Sequence, residues 1–322
     1  MKLKNTKSIN FSDVNLLSEK LSVVDSRTQV TFNTNRIIVA PMAAIQNSGF
    51  NISAITAGLS LPIHRFCTVE EQHRLLMEAI ATRAILGTKS LIWLSVGLND
   101  WEKRIGPVYQ QMAEAGVGVL FDVANGYAKN LEKAVSAYKE KYESLNLMTG
   151  NVHTWAGFQF LEDLGSDFVR VGVGNGQACE TSTATGIARG QISCIEDVAD
   201  QLHLSSLISD GGIRSPADVA KAFGAGADYV MIGGYFSAAS ESEAQKTGFF
   251  YGGASAMQKE KSGADNRFIE GKILSAPGGS GTLGELVTQI SDGVTSAISY
   301  SGYRDLESFI GNGIFELKYK GA

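Results

Sequence analysis

Cysteine and proline are both scarce in this sequence. Only three cysteines and five prolines occur among 322 residues. The cysteines, at positions 67, 179 and 194, form no Cys-x-x-Cys pair, which argues against a disulfide scaffold and for a reducing compartment. The histidines form no ligand-spaced cluster either, so the sequence offers little support for a zinc site.

Runs of basic residues and long apolar runs are missing too. The net charge is −5 and no segment is rich in lysine or arginine, so we expect no nucleic-acid partner. No apolar run reaches the roughly 18 residues that a membrane span needs, so no membrane insertion is expected. The first ten residues lack the apolar core of a signal peptide, and we therefore expect a cytoplasmic protein.

The sequence does contain short apolar runs that recur along the chain. Apolar residues make up 44% of the chain, enough for a sizeable core. Continuous apolar runs of this length are typical of strands buried on both faces of a parallel sheet. Eight such strands are predicted, at 36–42, 59–64, 90–96, 117–123, 145–149, 168–173, 205–209 and 228–232.

Helical patterns lie between these strands. Ser215 followed by Pro216 is one clear helix start, with a capping hydroxyl before proline in the first turn. The predicted helices are 69–86, 100–115, 128–143, 154–164, 192–202 and 216–224, and a last helix after 283 would be the one that follows the eighth strand.

This alternation predicts an α/β fold, a closed (β/α)₈ TIM barrel. The runner-up is an open doubly wound sheet, which is disfavoured because no G-x-G-x-x-G motif follows the first strand. We expect an N-terminal arm over 1–35 and a single catalytic domain over 36–322. A long Gly- and Ser-rich insertion at about 235–282 would lie on the face where barrel enzymes have their active sites.

A glycine-rich loop follows the sixth strand and reads V-G-V-G-N-G-Q-A-C-E-T over 171–181. Its glycines let the backbone turn sharply and present Cys179, with Thr181 two residues further on. A thiol at the end of a strand suits a nucleophile. Taken alone, Cys179 would be interpreted as a small packed apolar residue, as free cysteines often are, and only the rest of the chain favours a nucleophile.

Glycine doublets end the last two strands, within S-D-G-G at 209–212 and I-G-G at 232–234. Either doublet alone would indicate a tight turn. Together they occupy the two turns that bind phosphate in many barrels.

Several motifs resemble the IMP dehydrogenase/GMP reductase family. The longest runs from I-S-D-G-G to V-M-I-G-G over 208–234, and the cysteine loop carries the family's C-x-T. D-V-A-N-G-Y at 122–127 resembles the reductase branch, and T-G-N-V at 149–152 and F-I-E-G-K at 268–272 also fit. The resemblance extends over nearly the whole chain from about Phe11.

The resemblance implies a barrel enzyme that reduces GMP with NADPH to give IMP and ammonia. Cys179 would add to C2 of the purine, while Thr181 and Glu270 would handle protons as the amine leaves. Without the motif, Glu270 would be taken for a solvated surface residue.

The resemblance also implies binding residues, a cation and an assembly. Purine nucleotide contacts would come from Asp210, Gly211, Gly212, Gly233, Gly234, Gly252, Arg267 and Met42. Cofactor contacts would come from Asp122, Val123, Ala124, Arg65, Val173 and Gly174. Carbonyl groups of Gly174, Gly176 and Cys179 would hold a monovalent cation such as K⁺, and the family is commonly a homotetramer.

The chain departs from the family pattern at several positions that read the ligand. Gln177 stands where the family usually has a phosphate-binding serine, and Ala43 stands where an aspartate often follows the first-strand methionine. The segment 252–256 reads G-G-A-S-A instead of Gly-Met-Ser-Ser-Glu. These changes leave the exact nucleotide open, including dGMP or an altered purine, and they leave NADH open as the cofactor.

Two other functions remain as alternatives. One is IMP dehydrogenase, although no regulatory insertion splits the barrel and no Arg-Tyr flap is evident in 235–282. The other is a purine-nucleotide-binding homologue without turnover, which the altered 253–256 segment would suit.

Overall fold

Eight parallel β-strands are found where the apolar runs predict them. The computed structural model describes residues 7–142, 145–262 and 270–318. The strands are β1 (Ile37–Val39), β2 (Leu61–Ile63), β3 (Ile92–Val96), β4 (Gly118–Phe121), β5 (Leu147–Val152), β6 (Phe168–Val171), β7 (Ser206–Asp210) and β8 (Tyr229–Ile232).

The strands close into a barrel. Each strand from β2 to β8 pairs in parallel with the next in sequence, and β8 pairs with β1. Between β1 and β2 the ring is completed by two backbone hydrogen bonds of 2.9 Å, from Val39 N to Ser60 O and from Ser60 N to Ile37 O. The predicted (β/α)₈ barrel is therefore confirmed, and the open doubly wound sheet is wrong.

The α-helices lie between or after the barrel strands in sequence and pack around the barrel. They are α1 (Ser48–Thr56), α2 (Val69–Leu86), α3 (Trp101–Ile105), α4 (Tyr109–Glu114), α5 (Lys129–Lys141), α6 (Trp155–Asp163), α7 (Thr181–Thr185), α8 (Gln191–Ala199), α9 (Pro216–Gly224), α10 (Glu243–Thr247), α11 (Ala256–Ser262), α12 (Leu283–Tyr300) and α13 (Leu306–Phe309). Short 3₁₀ helices span Phe11–Asp13, Arg27–Gln29, Thr34–Arg36, Gly106–Val108 and Gly234–Ala238.

Helix α1 is missing from the sequence prediction. Its sequence, S-G-F-N-I-S-A-I-T, is rich in residues of low helix propensity, so no helical pattern stands out. The helix forms because the Asn47 side chain caps it, accepting a hydrogen bond from Phe50 N, and because Phe50, Ala54 and Ile55 are buried against the barrel. Tertiary packing has overridden local propensity here.

Two apolar layers explain why the strands lack the usual alternation of polar and apolar residues. Side chains that point inward fill the barrel, and among them are Ile38, Trp93, Leu120, Met148 and Met231. Side chains that point outward pack against the helices in a second, larger core. Both faces of each strand are therefore buried from solvent.

The first and last strands of the described residues pair with each other outside the barrel. Strand Val14–Leu16 pairs antiparallel with strand Phe315–Leu317. The Lys221 amine, which is 8% exposed, donates a hydrogen bond of 2.9 Å to Phe11 O and ties this part of the chain to α9. In the described residues no helix is both long enough and apolar enough for a bilayer crossing.

The segment after β8 is built as a small hairpin over the barrel mouth. Strand Phe249–Tyr251 pairs antiparallel with strand Ile273–Ser275. Helix α10 lies before the hairpin, and the turn 252–255 and α11 follow its first strand. The hairpin brings residues 270–272 back to the carboxyl ends of the barrel strands.

His64 is a buried ionisable group beside the barrel mouth. It is 5% exposed, and its Nδ1 accepts a hydrogen bond of 3.2 Å from Phe66 N. Burial, assisted by the positive charge of Arg104, lowers the pKa of His64 to about 4. The neutral ring is therefore the form that the fold accommodates.

We expect this histidine to make the free energy of unfolding depend on pH. Because the pKa is 6.5 in the unfolded chain and about 4 in the folded one, its stabilisation is full above pH 6.5 and is lost as the pH falls toward 4. The loss should be roughly 3 kcal/mol. Urea denaturation across this range should give a flatter profile for His64→Asn, and an unchanged slope in that variant would contradict the assignment.

Candidate active site

A single cavity at the carboxyl ends of the strands collects the predicted site residues. Its volume is about 350 Å³. The predicted residues that line it are Met42, Arg65, Asp122, Val123, Ala124, Val173, Gly174, Gly176, Cys179, Thr181, Asp210, Gly211, Gly212, Gly233, Gly234, Gly252 and Glu270. Arg267 lies outside the described residues. The structure thus brings together residues from six strand ends and the hairpin.

The cysteine loop keeps its shape because glycine lets it pack against neighbouring backbone. Gly172 has φ of 139°, and a Cβ atom there would collide with Asp210 O and the Gln191 side chain. Gln191, which is 1% exposed, donates hydrogen bonds of 2.7 Å to Val171 O and 3.1 Å to Ser209 Oγ. Asn175 donates 2.8 Å to Gln191 Oε1, so a buried amide anchors the start of the loop.

The far end of the loop pairs with the returning hairpin. Lys272 N donates to Ala178 O at 2.9 Å, and Glu180 N donates to Glu270 O at 2.8 Å. Cys179 lies between these two bonds and forms a bridge with Gly271. Backbone pairing therefore sets the position of Glu270 relative to the thiol.

Three side chains form a directed hydrogen-bond chain. The Cys179 thiol donates to Thr181 Oγ1 at 3.3 Å, and the Thr181 hydroxyl donates to Glu270 Oε2 at 3.0 Å. The chain leads from a sulfur atom at the cavity wall to a carboxylate that can accept a proton. This arrangement can activate a thiol and later return a proton to a leaving group.

A cluster of buried charges lies deeper in the cavity. Arg170, only 4% exposed, donates to Asp122 Oδ1 at 3.1 Å and lies 3.6 Å from Asp210 Oδ2. Asn151 donates to Asp210 Oδ2 at 2.8 Å, and Arg65 Nε lies 3.4 Å from Asp122 Oδ2. Burial raises the pKa of Asp210, whereas Arg170 and Asn151 oppose the increase.

Three turns converge at another part of the cavity. Gly211 lies beside Gly176 N, and a Cβ atom on Gly234 would collide with Gln177 Oε1. The loops after β6, β7 and β8 therefore touch at the glycine doublets. Gln177, at the position where the family usually has serine, lines the cavity, and so does Arg214.

The changed segment 252–256 faces the cavity with its backbone. Gly252, Gly253 and Ala254 line the cavity, and a Cβ atom on Gly253 would collide with the Phe66 ring. The Arg65 guanidinium stacks on the same ring, 4.7 Å from its centre. Among these lining residues, Gly253 stands in place of the family's methionine and Ala254 in place of its serine, so one hydroxyl group is missing from this wall.

Comparison with known proteins agrees with this geometry. The IMP dehydrogenase / GMP reductase domain signature matches residues 8–319. This chain belongs to the IMP dehydrogenase/GMP reductase family.

Three relatives illustrate the match. The chain is 32% identical to a GMP reductase of Caenorhabditis elegans over 95% of this chain and 90% of the relative. It is 33% identical to human GMP reductase 1 over 93% and 92% of the two chains. It is 31% identical to a GMP reductase of Salmonella arizonae over 94% and 92%.

The sequence analysis assigned no role to several polar residues of the cavity, although two of them, Asn151 and Arg214, lie inside the quoted family motifs. The cavity is lined by Asn151, Arg170 and Arg214. Gln191 does not line it but donates a hydrogen bond to Val171 O at the start of the cysteine loop. Arg170 carried a readable signal, because a charged residue stood inside an apolar strand run. Gln191 carried none, since an amide at the start of a helix is ordinary.

The cation site implied by the family remains a prediction. Gly174, Gly176 and Cys179 lie in the cysteine loop, and Cys179 N donates to Gly176 O at 3.1 Å across the turn 176–179. Within residues 7–142, 145–262 and 270–318, no group of three or more His, Cys, Asp or Glu side chains is placed to hold a metal ion.

We expect Cys179 to be the first thiol that iodoacetamide modifies. It lies in an open cavity, whereas burial raises the pKa of Cys67 to about 11 and that of Cys194 to about 12. Peptide mapping by mass spectrometry should show Cys179 labelled first, with Cys179→Ala as the control. Faster labelling of Cys67 would contradict this order.

Proposed function

We propose that the protein reduces GMP, or a closely related guanine nucleotide such as dGMP, to the corresponding inosine nucleotide and ammonia, using NADPH. The observation that carries the proposal is the hydrogen-bond chain from Cys179 through Thr181 to Glu270, on the wall of a nucleotide-sized cavity. Relatives aligned over nearly their full lengths are named GMP reductases, which supports the same reaction class here.

The first step forms a bond between sulfur and carbon. The Cys179 thiol gives its proton to the Thr181–Glu270 pair, and the thiolate adds to C2 of the purine while the electron pair of the C2=N3 double bond moves onto N3. The amino group on C2 then takes a proton from the same pair and leaves as ammonia, and the electron pair on N3 restores the C2=N3 double bond. Cys179 remains covalently bound to C2.

The second step returns the thiolate. NADPH, when bound, supplies a hydride to C2. As the C2–S bond breaks, its electron pair returns to Cys179 and the inosine nucleotide is released. The residues near the charge cluster would hold the nicotinamide half, chiefly Asp122, Val123, Ala124 and Arg65 on the cavity wall. The buried Nε atom of Arg170 has no hydrogen-bond partner among the described residues, and that of Arg65 has only the 3.4 Å ion pair with Asp122.

The glycine doublets and Gln177 would bind the phosphate end. Backbone amides at turns of this kind suit phosphate oxygens, and the Gln177 carboxamide adds a donor where a serine hydroxyl was expected. The Arg214 side chain is exposed at the same edge and has no acidic partner among the described residues, so it adds positive charge for the phosphate.

The assay mixes the protein with GMP and NADPH and follows the loss of reduced-nicotinamide absorbance. We expect turnover with GMP or dGMP, and a decrease of at least about 10³-fold in Cys179→Ala because the covalent step is lost. Flat traces with both nucleotides would overturn the proposal. NADH formation from IMP and NAD would indicate IMP dehydrogenase, and tight binding without turnover would indicate a binding protein.

Thr181→Val tests the proton relay. The change keeps the side-chain shape but removes the hydroxyl between the thiol and Glu270, so kcat should fall by about 10²-fold or more. Thr183→Val is the matched control, because Thr183 lies in the same helix and its hydroxyl bonds only to Glu180 O in the described structure. Equal activity of the two variants would exclude a role for the Thr181 hydroxyl.

A further inference from the structure

The guanidinium of Arg170 lies between two carboxylates that belong to different parts of the cavity. It hydrogen-bonds to Asp122 Oδ1 at 3.1 Å and forms an ion pair with Asp210 Oδ2 at 3.6 Å. Asp122 follows β4, on the side assigned to the cofactor, and Asp210 ends β7, on the side assigned to the nucleotide. The Arg170 guanidinium therefore contacts one carboxylate on the cofactor side and one on the nucleotide side of the cavity.

The surrounding backbone is shaped around this side chain. Gly150 of β5 has φ of 135°, and a Cβ atom there would lie 2.7 Å from both the Cβ and the carbonyl oxygen of Arg170. This close approach brings the next residue, Asn151, to Asp210 Oδ2 and to Gly172 O at 2.8 and 3.0 Å. Arg170 is only 4% exposed, and burying its positive charge in a strand destabilises the fold unless the charge is paired with carboxylates.

The two carboxylates differ in how fully they are paired. Asp122 faces Arg170 through one oxygen and Arg65 through the other. Asp210 has Arg170 and Asn151 on Oδ2, and within the described residues Oδ1 accepts no hydrogen bond. A carboxylate oxygen left open on a cavity wall suits a hydroxyl donor such as those of a ribose.

We propose that Arg170 is a positioning residue that holds Asp122 and Asp210 as hydrogen-bond acceptors for two different ligands at once. The inference rests on the proposed function, in which Asp210 already faces the sugar of the nucleotide, and its new part is the role of Arg170. Arg170 acts through the two carboxylates and not on the reacting carbon.

The test compares Arg170→Gln and Arg170→Lys with the wild-type chain by calorimetric titration of GMP, 2′,3′-dideoxy-GMP and NADPH. Arg170→Gln should weaken GMP and NADPH by at least about tenfold each, because each carboxylate loses its shared partner. Affinity for the dideoxy nucleotide should change by less than about twofold, since it offers no ribose hydroxyl to Asp210. Lysine should restore part of both losses.

The matched control is Arg189→Gln. Arg189 pairs with Asp197 at 2.9 Å and does not line the cavity, so its loss should leave GMP affinity within about twofold. An equal loss for GMP and its dideoxy analogue in Arg170→Gln would overturn the proposal, because it would indicate general distortion. A loss confined to NADPH would overturn it as well.

The pH dependence separates a positioning role from a purely structural one. Asp210 faces Arg170, Asn151 and Asp122, and the positive charge of Arg170 holds its pKa down against burial. Removing that charge should shift the acid limb of GMP binding to higher pH. An acid limb at the same pH in Arg170→Gln would overturn the proposal.

A ligand-free measurement keeps this inference distinct from the GMP reductase proposal. NMR titration of isotope-labelled aspartate carboxylates should show a higher pKa for Asp210 in Arg170→Gln than in wild type. If wild type fails to bind GMP, the proposed function is wrong, while this titration still decides the role of Arg170. An unchanged Asp210 titration would overturn the positioning role.

Discussion

The site depends on backbone pairing between the cysteine loop and the returning strand of the hairpin. Hydrogen bonds from Lys272 N to Ala178 O and from Glu180 N to Glu270 O flank Cys179 on both sides. The loop belongs to the barrel and Glu270 belongs to the insertion, so neither element contains the thiol–hydroxyl–carboxylate chain alone. These two bonds fix a carboxylate 89 residues away from Thr181 in sequence at hydrogen-bonding distance. Without them, Glu270 would be an ordinary exposed residue.

Much of the fold could be predicted from the sequence, because each barrel strand is buried on both faces and reads as an apolar run. The same logic missed α1, where Asn47 and tertiary burial act against weak propensity. The cysteine, the threonine and the glycine doublets could be predicted from local motifs. The roles of Asn151, Gln191 and Arg170 could not, since their partners lie on other strands and depend on which residues the barrel brings together. Arg267 falls outside the described residues and remains a prediction.

In the proposed function, the reactive residues and the ligand contacts share the same elements. The hydrogen-bond chain requires the cysteine loop and residues 270–272, and it retains the residue types that the family motif predicts. Gln177 lies in the same loop, two residues before Cys179, and its side chain lies against Gly234 in the turn after β8. Gly253 and Ala254 line the cavity from the hairpin. These departures from the family pattern therefore lie next to Cys179, Thr181 and Glu270 and leave these three residues unchanged.

The buried charge cluster connects the side of the cavity assigned to the cofactor with the side assigned to the nucleotide. Two arginines and two aspartates lie near one another with balanced formal charge, which reduces the cost of burying any one of them. The balance is local, because Asp122 has two cationic neighbours while Asp210 has one cation and one amide. Burial raises the pKa of Asp210, and its Oδ1 accepts no hydrogen bond from the described residues, so in the proposed function a ligand hydroxyl supplies the missing donor. A barrel can maintain such an incomplete cluster because its strand ends are rigidly spaced, which keeps the unsatisfied oxygen from collapsing onto a neighbour.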